Sequence, residues 1–335
     1  MDRPERVTEV ADRVWQCVLP LGTGFLGSVN TYFFADDGGV TLVDSGVGDA
    51  PTWDAVTAEF RALGYGLDQL RRVILTHTHH DHAGLATRLA AETRAEVWAH
   101  AEDLAYFERR YMRSEHYRSA LAAWLGSHGM PPDEAADLVT LSEATARTVA
   151  RGLPSVRPLQ GGETLRIGDY SFIVEWTPGH TPGHICLRDS GHELLVCGDH
   201  ILPRVSPNVG MHPDSDVNPL AGYLESLSEI ATSDLRTGLP GHGRAVEDVR
   251  GRARELWEHQ IERQRVLLDI LGAGPLTAYE LAGQVWANAK PHSWPEFRGH
   301  VRRNAIATLV AHLELLRERG DVVRSERPAY RYAIA

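Results

Sequence analysis

Between residues 77 and 82 the chain reads His77-Thr78-His79-His80-Asp81-His82, so His77, His79, Asp81 and His82 fall within six positions. Neutral imidazole and carboxylate are ligands for a borderline cation such as zinc, and a turn can aim several of them at one point. A solvated histidine-rich surface loop is the competing explanation. It fits poorly here, because the motif interrupts an apolar strand-to-helix unit. Val73-Ile74-Leu75 precede it as a short buried strand, and Leu85, Leu89 and Ala90 follow Gly84 at helical spacing.

Further candidates sit in turns. Thr177-Pro178-Gly179-His180-Thr181-Pro182-Gly183-His184 is punctuated by proline and glycine and carries a histidine in each half. Gly198-Asp199-His200 follows the apolar run Leu194-Leu195-Val196-Cys197, and Pro240-Gly241-His242-Gly243 follows another short strand. Glycine beside a ligand lets the backbone pass close to an ion without a Cβ clash. Any one of these alone is weak evidence; in this order, behind the first motif, they are strong. No Gly-x-Ser-x-Gly elbow is present.

The elements that must position these residues alternate in type. Strands are expected at Val14–Leu19, Asn30–Phe34, Val40–Val43, Glu96–Ala99, Thr164–Ile167, Phe172–Trp176, His184–Leu187 and Leu194–Cys197. Helices are expected over 52–63, after the histidine motif and over 219–231, with Pro51 and Gly64 bounding the first. Strands, helices, strands and a helix fit two packed sheets with helices outside them. Residues 102–151 read as three helices; their aromatic side chains either form a local core or, at some positions, cover the metal site. From 246 the chain reads as a long amphipathic helix to 271, a helix capped by Thr277 with Glu280, a helix over 298–318 and a terminal hairpin.

With 335 residues, about two domains are expected: a catalytic part over 1–245, with a helical insertion at 102–151, and a helical C-terminal part over 246–335. The formal net charge of −11 argues against a nonspecific grip on nucleic acid or anionic lipid. Three scattered cysteines, Cys17, Cys186 and Cys197, read as reduced thiols, and the charged opening residues lack an apolar signal segment. No run reaches the roughly twenty apolar residues of a membrane span. The expected setting is cytoplasmic, without membrane attachment.

His-x-His-x-Asp-His, then Gly-His-Thr, Gly-Asp and Pro-Gly-His-Gly resembles the metallo-β-lactamase-fold hydrolase superfamily. The resemblance covers roughly residues 10–245. It implies an α+β fold, a four-layered αβ/βα sandwich with a two-metal site at the top of the paired sheets. His77, His79 and His180 would hold the first ion and Asp81, His82 and His242 the second, with Asp199 bridging. Asp44, in Val43-Asp44-Ser45-Gly46, would orient a ligand from behind, although a simple turn-capping role suits it nearly as well. His184 and His200 would support ligands from behind, with a substrate contact or a packed polar group as the alternatives, and His80 and Cys197 stay outside the site. His212, beside Pro213 and Asp214, reads as exposed loop.

Two divalent ions about 3.5–4 Å apart can lower the pKa of a shared water enough to supply hydroxide at neutral pH, and Asp81 would pass a proton to the leaving group. Zinc is expected, with iron or manganese accepted by the same donors. The helical insertion and winged-helix-like tail resemble the glyoxalase II and thioesterase branch, which implies a small acyl thioester: an acyl-CoA, acyl-carrier or glutathione conjugate. A lactone or carboxylic ester is the alternative, followed by a nucleic-acid phosphodiester. A non-enzymatic metal-binding protein fits the full ligand set poorly. The tail, close to charge balance from residue 245 on, reads as a packing or homodimer element.

Overall fold

The computed structural model describes residues 7–22, 27–36, 38–112, 114–149, 152–290, 292–326 and 328–335. Its first sheet runs in chain order through β1 (Val7–Ala11), β2 (Val14–Pro20), β3 (Ser28–Asp36), β4 (Gly39–Val43), β5 (Leu70–Ile74), β6 (Glu96–His100) and β7 (Val156–Leu159). The first four strands pair antiparallel, and β4 to β7 are parallel. The second sheet orders β12 (Thr237–Pro240), β11 (Leu194–Gly198), β10 (Ile185–Asp189), β9 (Tyr170–Trp176) and β8 (Thr164–Ile167). Only β11 and β12 are parallel within it.

Alternation along β3 shows how the layers form. Tyr32 and Phe34 point into one cluster with Phe172, Val174, Leu187 and Val196 of the second sheet. Phe33, between them, points the other way, onto Val56 and Phe60 of the helix Ala50–Ala62 and toward Leu89 of the helix Ala86–Thr93. Period-two alternation on a strand buried on both faces requires apolar residues at successive positions, and β3 supplies them. The expected α+β sandwich of paired sheets with outer helices is the architecture observed. β1 and β7 were not anticipated: β1 is a half-exposed edge, and β7 contains Pro158, which is tolerated at an edge.

The chain forms two compact units. The first comprises residues 1–107, 151–207 and 229–253, and the second 108–150, 208–228 and 254–335. The second unit therefore groups most of the expected insertion with the C-terminal segment, which joins it from Arg254, within the helix Val249–Leu271, where 246 was expected. The physical reason is a shared core: Tyr117, Leu121 and Leu125 of the helix Ser114–Ser127 pack in one cluster with Leu267, Leu281 and Leu309. A five-residue π-helical turn, Glu108–Met112, precedes that helix. The helix Ala278–Val285 begins with the expected box, Thr277 Oγ1 accepting from Glu280 N at 3.1 Å and Thr277 N donating to Glu280 Oε2 at 2.8 Å. The terminal hairpin pairs β13 (Val322–Ser325) with β14 (Arg331–Ile334). Among the described residues, no helix is long and apolar enough to cross a membrane.

Candidate metal centre

Every predicted ligand leaves the carboxyl end of a strand or the turn beyond it. His77 to His82 follow β5, His180 lies beyond β9, Asp199 follows β11 and His242 follows β12. This is where sheets with parallel strands open a crevice. The structure gathers their donor atoms into three groups, each within 4.8 Å: His77, His79 and His180; His77, His82 and Asp199; and Asp81, His82 and His242.

Separations within the groups can be tested against coordination geometry. Two ligand atoms about 2.1 Å from an ion at the tetrahedral angle lie roughly 3.4 Å apart. Here His77 Nε2 lies 3.1 Å and His180 Nε2 2.9 Å from His79 Nδ1. Asp199 Oδ2 is 3.5 Å from His180 Nε2 and 3.4 Å from His242 Nε2, and Asp199 Oδ1 is 3.6 Å from His82 Nε2. Asp81 Oδ2 stands 3.6 Å from His242 Nε2 and 3.9 Å from His82 Nε2. His82 Nε2 and Asp199 Oδ1 are buried without a hydrogen-bond partner. Buried acceptors left open at ligand-ligand spacing are the signature of a cation cradle, and these residues fit divalent ions. Gly241 is part of the cradle, since a Cβ there would lie 2.4 Å from Asp199 Oδ1 and 2.6 Å from His82 Cε1.

The residues behind the donors fix which ring nitrogen faces inward. His82 Nδ1 donates to Asp44 Oδ2 at 2.7 Å and His242 Nδ1 to the Ser28 carbonyl at 2.6 Å, which turns both Nε2 lone pairs to the centre. His77 Nδ1 contacts Thr76 Oγ1 at 3.1 Å, and that hydroxyl donates to Asp44 Oδ2 at 2.8 Å. Thr76 N also donates to Asp44 Oδ1 at 2.8 Å. One carboxylate thus orients His82 directly and His77 through Thr76. Asp44 does so from the left-handed region, φ 62°, a conformation Asp tolerates better than most residues. His79 is reversed: its Nδ1 faces the centre, and Nε2 points to Tyr106 Oη at 3.5 Å.

Charge divides the donors. Burial, reinforced by neighbouring imidazoles, holds the pKa values of His77 and His79 well below the usual range, so both present neutral lone pairs. Burial disfavours protonated His82 as well, but the Asp44, Asp199 and Asp81 carboxylates outweigh it and raise its pKa to about 10, so Nε2 holds a proton that a divalent ion would displace. His242 is shifted up in the same manner, burial being overcome by Asp199. Asp199 is itself buried, yet His242 and His82 hold its pKa well below the usual carboxylate range.

This arrangement coincides with a known sequence pattern. The profile described as the metallo-beta-lactamase superfamily matches residues 24–242. The chain belongs to the metallo-beta-lactamase superfamily. Among its relatives is a protein of Bacillus subtilis (strain 168) named "Probable metallo-hydrolase YqjP", 26% identical over 266 residues, which span 78% of this chain and 81% of that one. A metallo-beta-lactamase family protein from Thermus thermophilus superposes with a TM-score of 0.84 at 32% identity, covering 98% of this chain and all of the other. A beta-lactamase domain protein from Burkholderia ambifaria gives 0.81 at 27%, covering 100% and 95%. As a superfamily member the chain is a metallo-hydrolase with candidate His and Asp ligands for divalent metal.

Other predicted residues find separate places in this superfamily scaffold. His184 uses both nitrogens internally: Nδ1 meets Thr177 Oγ1 at 2.9 Å, and Nε2 accepts from Asp199 N at 3.1 Å. It thereby holds the backbone of the central carboxylate. His200 is fully buried, its pKa lowered to about 3 by burial and then by His180. His80 turns outward, its side chain 46% exposed, and Cys197 lies in the core. His212, expected on an exposed loop, is half-buried with Nδ1 shut off from solvent. Within 102–151, Tyr106 lies against a predicted ligand, whereas Tyr117 and Met130 belong to the helical core.

The sequence reading missed Asp103. Its side chain is fully buried at the start of the helix Ala101–Phe107, and burial raises its pKa against the pull of hydrogen bonds from Gly183 and Thr78. The available signal was its place just beyond β6, at the same sheet edge as the ligands.

Proposed function

We propose that this metallo-hydrolase works with two divalent ions, zinc in the first instance, and cleaves a small acyl thioester: an acyl-CoA, acyl-carrier or glutathione conjugate. His77, His79 and His180 would hold one ion, Asp81, His82 and His242 the other, and Asp199 would bridge them. The observation that carries the two-ion reading is the Asp199 carboxylate, with Oδ2 facing His180 and His242 and Oδ1 facing His82. Bound there, a pair of divalent ions supplies activated water and polarises the scissile carbonyl, which is hydrolysis without a protein nucleophile.

The chain's own residues do the rest. Asp44, Thr76 and Ser28 keep imidazole lone pairs aimed inward. Asp81 is the more open of the two central carboxylates, with 14% of its side chain exposed against 7% for Asp199. It is the group placed to hand a proton to a departing thiolate. The thioester choice is supported by the order of helices and terminal hairpin after the catalytic motifs, and the net charge of −11 speaks against a nucleic-acid phosphodiester. The same features support a packing or homodimer role for the winged-helix-like tail, and three buried thiols suit the cytoplasm.

The test is a panel of acyl-thioesters assayed for free thiol beside lactones assayed for acid release, with metal-loaded protein. Thioester turnover with little lactone turnover is expected. Turnover confined to lactones replaces the thioester reading, and cleavage of labelled single-stranded RNA replaces both. Elemental analysis should return two zinc ions per chain.

A further inference from the structure

Asp103 joins the two loops that carry the ligands of one candidate ion. Its Oδ2 accepts from Thr78 N at 2.6 Å and from Thr78 Oγ1 at 3.1 Å. Its Oδ1 accepts from Gly183 N at 2.7 Å. Thr78 lies between His77 and His79, and Gly183 lies three residues beyond His180. The contact is close-fitting, since a Cβ at Gly183 would stand 2.2 Å from Asp103 N.

From this juxtaposition we infer that Asp103 is a positioning residue that sets the spacing of the His77/His79/His180 site and leaves the Asp81/His82/His242 site alone. The inference rests on the two-ion reading above. Its physical basis is the donor count. Backbone N–H groups approach from both loops, so both oxygens of the side chain must accept, which a carboxylate does. An asparagine in its place has one accepting oxygen and one donating nitrogen. Whichever way it is turned, its amide nitrogen would face a backbone N–H of one loop or the other, and the loops would part. Among the described residues, no carboxylate bridges the two ligand loops of the second site in this way: Asp81 and His82 ride on the short helix His80–Ala83, where the His82 carbonyl accepts from Ser45 N and Oγ, and His242 is anchored to Ser28.

The experiment measures zinc affinity and cobalt-substituted absorption spectra of the full chain, with melting temperature as the folding control. In the wild type, two ions bind. Asp103→Asn is expected to weaken one of them about 10–100-fold, the range for groups that hold a ligand from behind, and to leave the other unchanged. Combined with His242→Ala, which removes the second site, it should weaken the remaining ion to the same extent. Combined with His180→Ala, it should change nothing further. Equal weakening of both ions, or of neither, at an unchanged melting temperature overturns the inference. Should Asp103→Asn fail to fold, Gly183→Ala pries the same two loops apart from the other side and must show the same selective loss. A wild-type chain that binds no ion overturns the two-ion reading and this inference together; a wild type with two ions and an unselective Asp103→Asn variant overturns the inference alone.

Discussion

Histidines withdrawn from solvent occur in both compact units, and they are used in opposite ways. In the first unit His77, His79, His82, His180 and His242 turn one nitrogen each toward common points, with carboxylates between them. In the second, His128 and His312 are buried but face different neighbours. His128 packs against Trp124 and Tyr330, and His312 Nε2 meets Gln260 Oε1 at 3.2 Å. Burial keeps His128 and His312 neutral, with pKa values lowered to about 4 and about 3. A neutral buried imidazole is therefore no mark of a metal site. Convergence of open lone pairs is.

Four measurements press on that contrast. Asp199→Ala removes the one carboxylate shared by the candidate sites, so both metal content and turnover should vanish while the chain stays folded; full activity with two ions bound would abolish the distinction. Leu309→Ala hollows the helical core of the second unit, where Leu309 is fully buried. It should cost about 2–5 kcal/mol by chemical denaturation and leave the metal content of folded protein unchanged. A fall in metal content would mean the two units are not separable in this way.

Acid should act on the second unit's histidines. The unfolded chain takes up protons near pH 6.5, whereas folded His128 and His312 resist them until about 4 and 3. Their stabilising contribution is complete above pH 6.5 and is lost as pH falls, by up to about 1.4 kcal/mol per pH unit for each group. Around His128, burial is the main cause, with Glu314 and Arg324 opposing one another. Denaturation midpoints from pH 7 to 5 should drop, less steeply in His128→Phe; a flat profile would sink the assignment. Smallest in expectation is Asp44→Asn, which weakens the hold on His82 and should reduce metal affinity about 10–100-fold with the fold intact. Titration with a competing chelator measures it.

The sequence made the ligand set legible because imidazoles and carboxylates rarely crowd into turns between apolar strands, as they do at His77–His82 and Gly179–His184. The sandwich was legible in the order of elements, since strands, helices, strands and a helix fit two packed sheets with helices outside. Asp103 was not legible. In Ala101-Glu102-Asp103 it looks like an ordinary acid in the first turn of a helix, and its meaning depends on Thr78 and Gly183, 25 and 80 positions away. The grouping of residues 108–150 with the C-terminal helices was hidden likewise, since Tyr117 and Leu309 carry no pattern that pairs them. Edge strand β7 escaped because Pro158 argues against a strand when its neighbours are unknown.

The donors come from chain positions as far apart as His77 and His242, brought together only by the finished sheets. An extended polypeptide has no such cage. Any cation captured there acts as a clamp on the native state alone, so the melting temperature should climb with free zinc and sink with chelator, and thermal shift becomes a direct gauge of occupancy.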